Sequence, residues 1–280
     1  MNLQNSVKTV LMWTLLLVCI GVYCLNMYCA DRVYSSDEEL GPPDSCLIAL
    51  YADTGASEVS IQAAEKMFEW TGYTVMRIKA NDILTQGLDR FVILCIPGGN
   101  MFQYAQDLTL EGIEKIRQFV FRGRGYIGIC GGAYFTGERV FWQENQLPMN
   151  SLGIFPGVTL GPVEEIAPYP QCTMCKVNIV NRSHPITQLE PDTAWIMYCY
   201  GPMFIPKEGV DVQILGNYEI LNRPAMLAFM YGQGRVFNIG VHPELEEDSD
   251  RDGVDFGDVF DDRGSDWDLM KKAVCWCAKK

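Results

Sequence analysis

The chain has 280 residues, 48% of them hydrophobic, enough for one large domain or a domain with an appendage. Its formal net charge of −13 excludes a nucleic-acid binder that works by electrostatics, because no basic stripe is present. Much of the acid falls late, from Glu244 to Asp268, and reads as a solvated loop.

The first residues are a different material. After Lys8 an uncharged apolar run covers residues 9–25 and continues to Ala30. At about 1.5 Å per helical residue, such a run matches a bilayer core. The expectation is one N-terminal apolar helix within residues 1–30, retained as a single-pass membrane anchor or cut as a signal peptide to leave a secreted or periplasmic domain. Residues 31–45 are polar and contain Gly41-Pro42-Pro43, a linker to a domain over residues 46–280.

Within that domain, strand-like and helix-like segments alternate. Residues 46–52 predict a buried strand, and residues 57–71 a helix with Ile61, Ala64 and Phe68 on one face and Gly72 as its stop. Strands are predicted over 73–78 and 91–96. A second helix is predicted over 109–122, with Thr109 as N-cap, Ile113, Ile116 and Val120 in register, and Gly123 after it. A strand then runs into Cys130, followed by a short helix. The second half is strand-rich, over 176–180, 195–199, 212–216, 225–231 and 235–240, with a hairpin turn at Tyr231–Arg235 and a closing helix over 266–278. This alternation predicts an α/β fold with a doubly wound, mostly parallel sheet and helices on both faces.

The chemistry concentrates at three of the predicted strand ends. Gly125-Tyr-Ile-Gly-Ile-Cys-Gly-Gly-Ala-Tyr134 is an apolar run that stops at a cysteine flanked by glycines. That is what a nucleophile elbow needs: a buried strand, a sharp turn that exposes the sulfur, and a helix start behind it. The alternative is a buried cysteine in a glycine-rich loop. His242 is one of two histidines, and His242-Pro243-Glu244 places an imidazole and a carboxylate on one side of an extended segment. A thiol nucleophile wants such a base and such an orienting group, so Cys130, His242 and Glu244 form a candidate triad. Ile96-Pro97-Gly98-Gly99 ends a strand with two glycines whose N–H groups, with that of Gly131, suit an oxyanion hole. A plain turn is the other reading of those glycines.

Other features carry less. His184, before Pro185, is a rival base or a turn histidine, and Asn181-Arg182-Ser183 is a glycosylation sequon. Cys172-Thr-Met-Cys175 is a lone pair without a second pair or a nearby histidine, so a disulfide or surface thiols are expected there rather than zinc. Asp248–Asp255 opens like a calcium loop, but Val259 stands where the bidentate glutamate belongs. No metal and no cofactor is expected. Tyr198, Tyr200 and Gly201 line a pocket wall or pack the sheet.

The order strand–Pro-Gly-Gly, helix, strand–Gly-x-Cys-x-Gly and late His-Pro-Glu resembles the class I glutamine amidotransferase-like superfamily. Within it, Ile96-Pro-Gly-Gly, Ile116-Arg-Gln-Phe-Val and Gly128-Ile-Cys-Gly-Gly-Ala-Tyr134 look most like the biotin-protein ligase N-terminal domain family, over roughly residues 45–245. The resemblance implies a flavodoxin-like fold with Cys130 as nucleophile, His242 as general base then acid, and Glu244 as the residue that orients it. It also implies an oxyanion hole from Gly98 or Gly99 with Gly131. Where glutaminases of this class usually carry glutamine, two residues after Gly132, this chain has Tyr134, the candidate substrate-binding residue. No synthase or ligase catalytic domain is expected to follow, so ammonia coupling and biotinylation by this chain are not implied.

The function expected is that of a Cys-His-Glu hydrolase acting on an amide or related acyl bond of a small molecule through a thioester. The alternative is a non-catalytic small-molecule binding or scaffold module of the same fold, and a thiol sensor is a third reading. A protein partner is not specified by the sequence, and the membrane enters only through the apolar N-terminus.

Overall fold

The uninterrupted apolar runs of the first half form strands buried on both faces. In the computed structural model, which describes residues 47–246, 250–260 and 264–279, the strands are Leu47–Tyr51 (β1), Thr74–Ile78 (β2), Ile93–Ile96 (β3), Gly125–Ile129 (β4), Gly137–Trp142 (β5), Asn145–Gln146 (β6) and Phe155–Gly161 (β7). They continue as Thr173–Ile179 (β8), Thr193–Tyr198 (β9), Met203–Pro206 (β10), Val212–Tyr218 (β11), Arg223–Tyr231 (β12) and Gly234–Ile239 (β13). The helices are Glu58–Trp70 (α1), Ala80–Thr85 (α2), Met101–Phe121 (α3), Gly131–Tyr134 (α4) and Trp267–Cys277 (α5). These residues all fall within the compact unit from Pro42 to Lys280.

A nine-stranded sheet runs in the order β2-β1-β3-β4-β13-β12-β11-β8-β9. Its first five strands are parallel, and every later pairing is antiparallel. The predicted sheet is therefore corrected from mostly parallel to half parallel and half antiparallel. The β12–β13 hairpin forces the change, because a tight turn such as the one at Gly232 can join only antiparallel neighbours. A second sheet, β10-β7-β5-β6, covers part of one face.

Side chains alternate through the large sheet, and each strand feeds two cores. Ile48 and Leu50 of β1, with Ile127 and Ile129 of β4, face a layer that includes Phe68 of α1 and Met270 and Val274 of α5. Ala49, Tyr51, Leu94 and Ile96 face the other layer, with Ile83 of α2, Tyr104, Ile113 and Ile116 of α3, and Phe155 and Phe204 of the second sheet.

Two segments depart from the sequence expectation for identifiable reasons. Helix α3 begins at Met101 rather than Thr109; Thr109 (φ 56°, ψ 178°) is instead a break inside it. Asn100 caps the added turns, accepting from the N–H groups of Phe102 and Gln103 at 3.0 and 3.4 Å. The second sheet was not expected at all. In β7 the inward positions are Phe155, Gly157, Thr159 and Gly161, so its two-residue period is hidden by small and polar residues.

The expected localisation is also corrected. Among the described residues no helix is long and apolar enough to cross a membrane. The apolar helix, the signal segment of residues 1–30 and the linker of 31–45 lie outside the described residues. A membrane anchor, and a membrane partner through it, is therefore withdrawn.

Candidate active site

The site forms where three neighbouring parallel strands end. Strands β3, β4 and β13 are adjacent, with Ile96 paired to Gly128 and Ile129 to Ile239. Residues that follow them by one to three positions therefore meet above the same sheet edge, however distant they are in sequence. Pro97-Gly98-Gly99 follows β3, Cys130 follows β4 and His242 follows β13.

Cys130 sits at φ 47°, ψ −102°, a conformation costly for any residue with a Cβ. Its N–H donates to the carbonyl of Ile239 at 3.0 Å, tying the elbow to the end of the next strand. The glycines around it are required by close approach. A Cβ on Gly132 would lie 1.9 Å from the Ile96 carbonyl oxygen, and one on Gly131 would lie 2.3 Å from that of Gly99. Behind the elbow, Asn238 Nδ2 donates to Thr136 Oγ1 at 2.7 Å, a buried brace between β13 and the turn after α4. Helix α4 is a single turn, so the dipole support expected behind the sulfur is small.

His242 Nδ1 and Glu244 Oε1 are 2.8 Å apart, and the Glu244 carboxylate is fully buried. The same Oε1 accepts from Ser60 Oγ at 2.6 Å, and Ser60 Oγ in turn accepts from the Gly98 N–H at 2.9 Å. Burial works against a charge on His242. The Glu244 carboxylate, hydrogen-bonded at Nδ1, and the nearby Cys130 sulfur outweigh it, and the imidazole pKa stands well above its ordinary value. Nε2 is buried and makes no hydrogen bond among the described residues. The Cys130 thiol meanwhile donates to the carbonyl of Cys199 at 3.4 Å.

Of the three expected oxyanion donors, Gly98 has its N–H committed to Ser60. Among the described residues no hydrogen bond takes up the N–H groups of Gly99 and Gly131. Gly98 has a different steric role, since a Cβ there would lie 2.7 Å from His242 Cε1. Tyr134 is buried, and its hydroxyl donates to the carbonyl of Tyr200 at 2.9 Å, so it offers the site a ring rather than a free hydroxyl.

These groups open on a cleft of about 570 Å³, lined in part by Cys130, His242, Gly98, Gly99, Trp142 and Tyr200. Ser60 is the residue that sequence reasoning missed. Its signal was a serine in the first turn of α1 beside Ile61, on the face that the apolar period marks as buried.

The remaining candidates lie elsewhere. His184 Nδ1 accepts from the N–H of Ile186 at 3.2 Å, and its ring packs 5.1 Å from that of Trp276. Trp276 contacts Arg235 at the start of β13, so His184 belongs to the opposite end of the sheet from Cys130. Cys172 pairs with Cys199 rather than with Cys175, because the β8–β9 register that sets Thr173 opposite Tyr198 sets Cys172 opposite Cys199. Cys175 is a buried free thiol whose pKa is pushed up by burial. In the acidic segment Asp252 is buried and accepts from the N–H groups of Glu246 and Val254, which makes it a turn brace. Among the described residues no group of His, Cys, Asp and Glu could hold a metal ion.

The family model described as biotin-protein ligase, N terminal, matches residues 46–257. A biotin–protein ligase of Schizosaccharomyces pombe is 28% identical over 165 residues, 55% of this chain and 25% of the relative. An uncharacterized protein of Chlamydia muridarum is 28% identical over 130 residues, 43% of this chain and 50% of the relative. The aligned part of the chain thus spans a quarter to a half of those relatives' length. Among solved structures, a glutamine amidotransferase from Thermotoga maritima superposes with a TM-score of 0.56 at 11% identity, over 85% of this chain and 100% of that one. A ThuA-like protein from Bacteroides uniformis gives 0.54 at 15% identity, over 87% and 95%. At these identities the likeness establishes a glutamine amidotransferase-like fold.

Proposed function

Because the chain belongs to the biotin-protein ligase N-terminal domain family, with a glutamine amidotransferase-like fold, we propose that it is a cysteine-dependent hydrolase of an amide or related acyl bond. The observation that carries this reading is the strained elbow of Cys130, which shares one cleft with an imidazole held by Glu244 at 2.8 Å. A residue of this kind is kept at φ 47° only where the surroundings enforce it, and here they do so beside a base.

The steps follow from the positions. His242 takes the thiol proton, and the Cys130 sulfur attacks the carbonyl carbon. The negative charge that develops on oxygen faces the N–H groups of Gly99 and Gly131. The carbon–nitrogen bond breaks as His242 returns its proton to the leaving nitrogen, which departs as ammonia or an amine, and a thioester remains. Water, deprotonated by His242, attacks the thioester; the thiol leaves as the acid product forms and recovers its proton from the imidazolium. Glu244 keeps Nδ1 protonated and the ring oriented, and Ser60 positions Glu244.

The test is covalent labelling with a thiol-directed acyl probe, read by intact mass. Wild-type protein is expected to take one acyl group at Cys130, and Cys130→Ser none. Equal labelling of both would overturn the assignment, and a Cys130 that reacts no faster than free cysteine would favour a binding module.

A further inference from the structure

The walls of the cleft say what kind of acyl group belongs there. One wall is a run of four aromatic rings in edge or tilted contact: Tyr134 to Trp142 at 5.8 Å, Trp142 to Tyr169 at 5.6 Å and Tyr169 to Tyr200 at 5.1 Å. Two of their hydroxyls are already spent on backbone carbonyls, that of Tyr134 on Tyr200 and that of Tyr200 on Pro170 at 2.8 Å. What these residues offer a ligand is ring surface. Phe102 and Phe256 also line the cleft and stand 37% and 43% exposed, open apolar area beside a reactive centre.

Charge is missing from the same walls. Among the described residues that line the cleft, none is Lys, Arg, Asp or Glu. The one basic group is His242, and its Nδ1 is engaged by Glu244. Free glutamine carries an α-carboxylate and an α-ammonium, and each would lose water here without gaining an Asp, Glu, Lys or Arg partner among the described lining residues.

We propose that the cleft takes a small neutral amide whose acyl chain carries an aromatic or similarly flat apolar group, and that free glutamine is not its substrate. This rests on Cys130 as the nucleophile. The aromatic wall receives the flat group, the carboxamide lies over Cys130, and hydrolysis releases ammonia and the aryl-bearing acid. Tyr134 then has a reason to stand where a glutaminase carries glutamine, since its ring continues the wall.

The experiment compares 3-phenylpropanamide with L-glutamine on the full chain, following ammonia and the acid product. The expected kcat/KM for the phenyl amide is at least about tenfold the higher of the two. Trp142→Ala should raise its KM about tenfold with a smaller change in kcat, and Trp142→Phe should restore most of the affinity. Turnover of glutamine at an equal or higher rate would overturn the substrate class while leaving the nucleophile intact, provided acyl labelling of Cys130 persists. If neither compound turns over, calorimetry with Cys130→Ser decides. Binding of the phenyl amide at least about tenfold tighter than glutamine supports the proposal, and equal or absent binding overturns it.

Discussion

His242 is held at Nδ1 by the buried Glu244 carboxylate, and its protonation links the chemistry to stability. Its pKa is raised in the folded chain, with Glu244 and Cys130 overcoming burial. A group raised on folding stabilises fully below its unfolded value, about 6.5 for histidine, and that contribution is lost as pH rises through the folded value. The melting temperature of wild type minus that of His242→Gln should therefore be largest near about pH 6 and shrink above neutrality. Thermal melts across a pH series read this directly; a difference that grows with pH would contradict the pairing. Cys130, His242 and Glu244 could be singled out from sequence because residue type and strand-end position together are unusual. Ser60 showed only as a serine on the buried face of a helix, which says nothing of the carboxylate and amide it joins. The commitment of the Gly98 N–H was hidden too, because it depends on that same serine.

At the scale of elements, Ser60 links α1 to two strand ends at once, through Glu244 after β13 and Gly98 after β3. Its loss would leave the buried Gly98 N–H without its partner and take one of two partners from Glu244 Oε1. Ser60→Ala is expected to cost about 1–3 kcal/mol of stability in urea, with an unchanged slope. A cost within about 0.5 kcal/mol, as for an ordinary surface change, would show that the bridge does not hold the site together. The strands with continuous apolar runs, such as Ile93–Ile96, were legible because burial on both faces leaves no polar interruption. Strand β7 was not, since Gly157 and Gly161 face inward to make room for the ring of Phe155 and the hydroxyl of Tyr134. The first turns of α3 were legible in principle, because Met101, Tyr104 and Leu108 keep helical spacing and Asn100 caps them. The Gly98-Gly99 pair before them read as a turn and masked the start.

For the whole molecule, the topology does what no local segment can. Cys130 and His242 are more than a hundred positions apart in sequence, yet the β4–β13 pairing delivers both to one end of the sheet. The parallel half was legible from alternating strands and helices; of the antiparallel half only the hairpin at Tyr231–Arg235 was, because the other strand segments carry no direction by themselves. The order β3-β4-β13 is what brings a glycine pair, a thiol and an imidazole to a common cleft with aromatic walls. The meeting of the sulfur with the imidazole is best measured by the rate of Cys130 alkylation with iodoacetamide in wild type and His242→Gln. Wild type should react at least about tenfold faster than the variant, because the imidazole takes the thiol proton. Equal rates would contradict it.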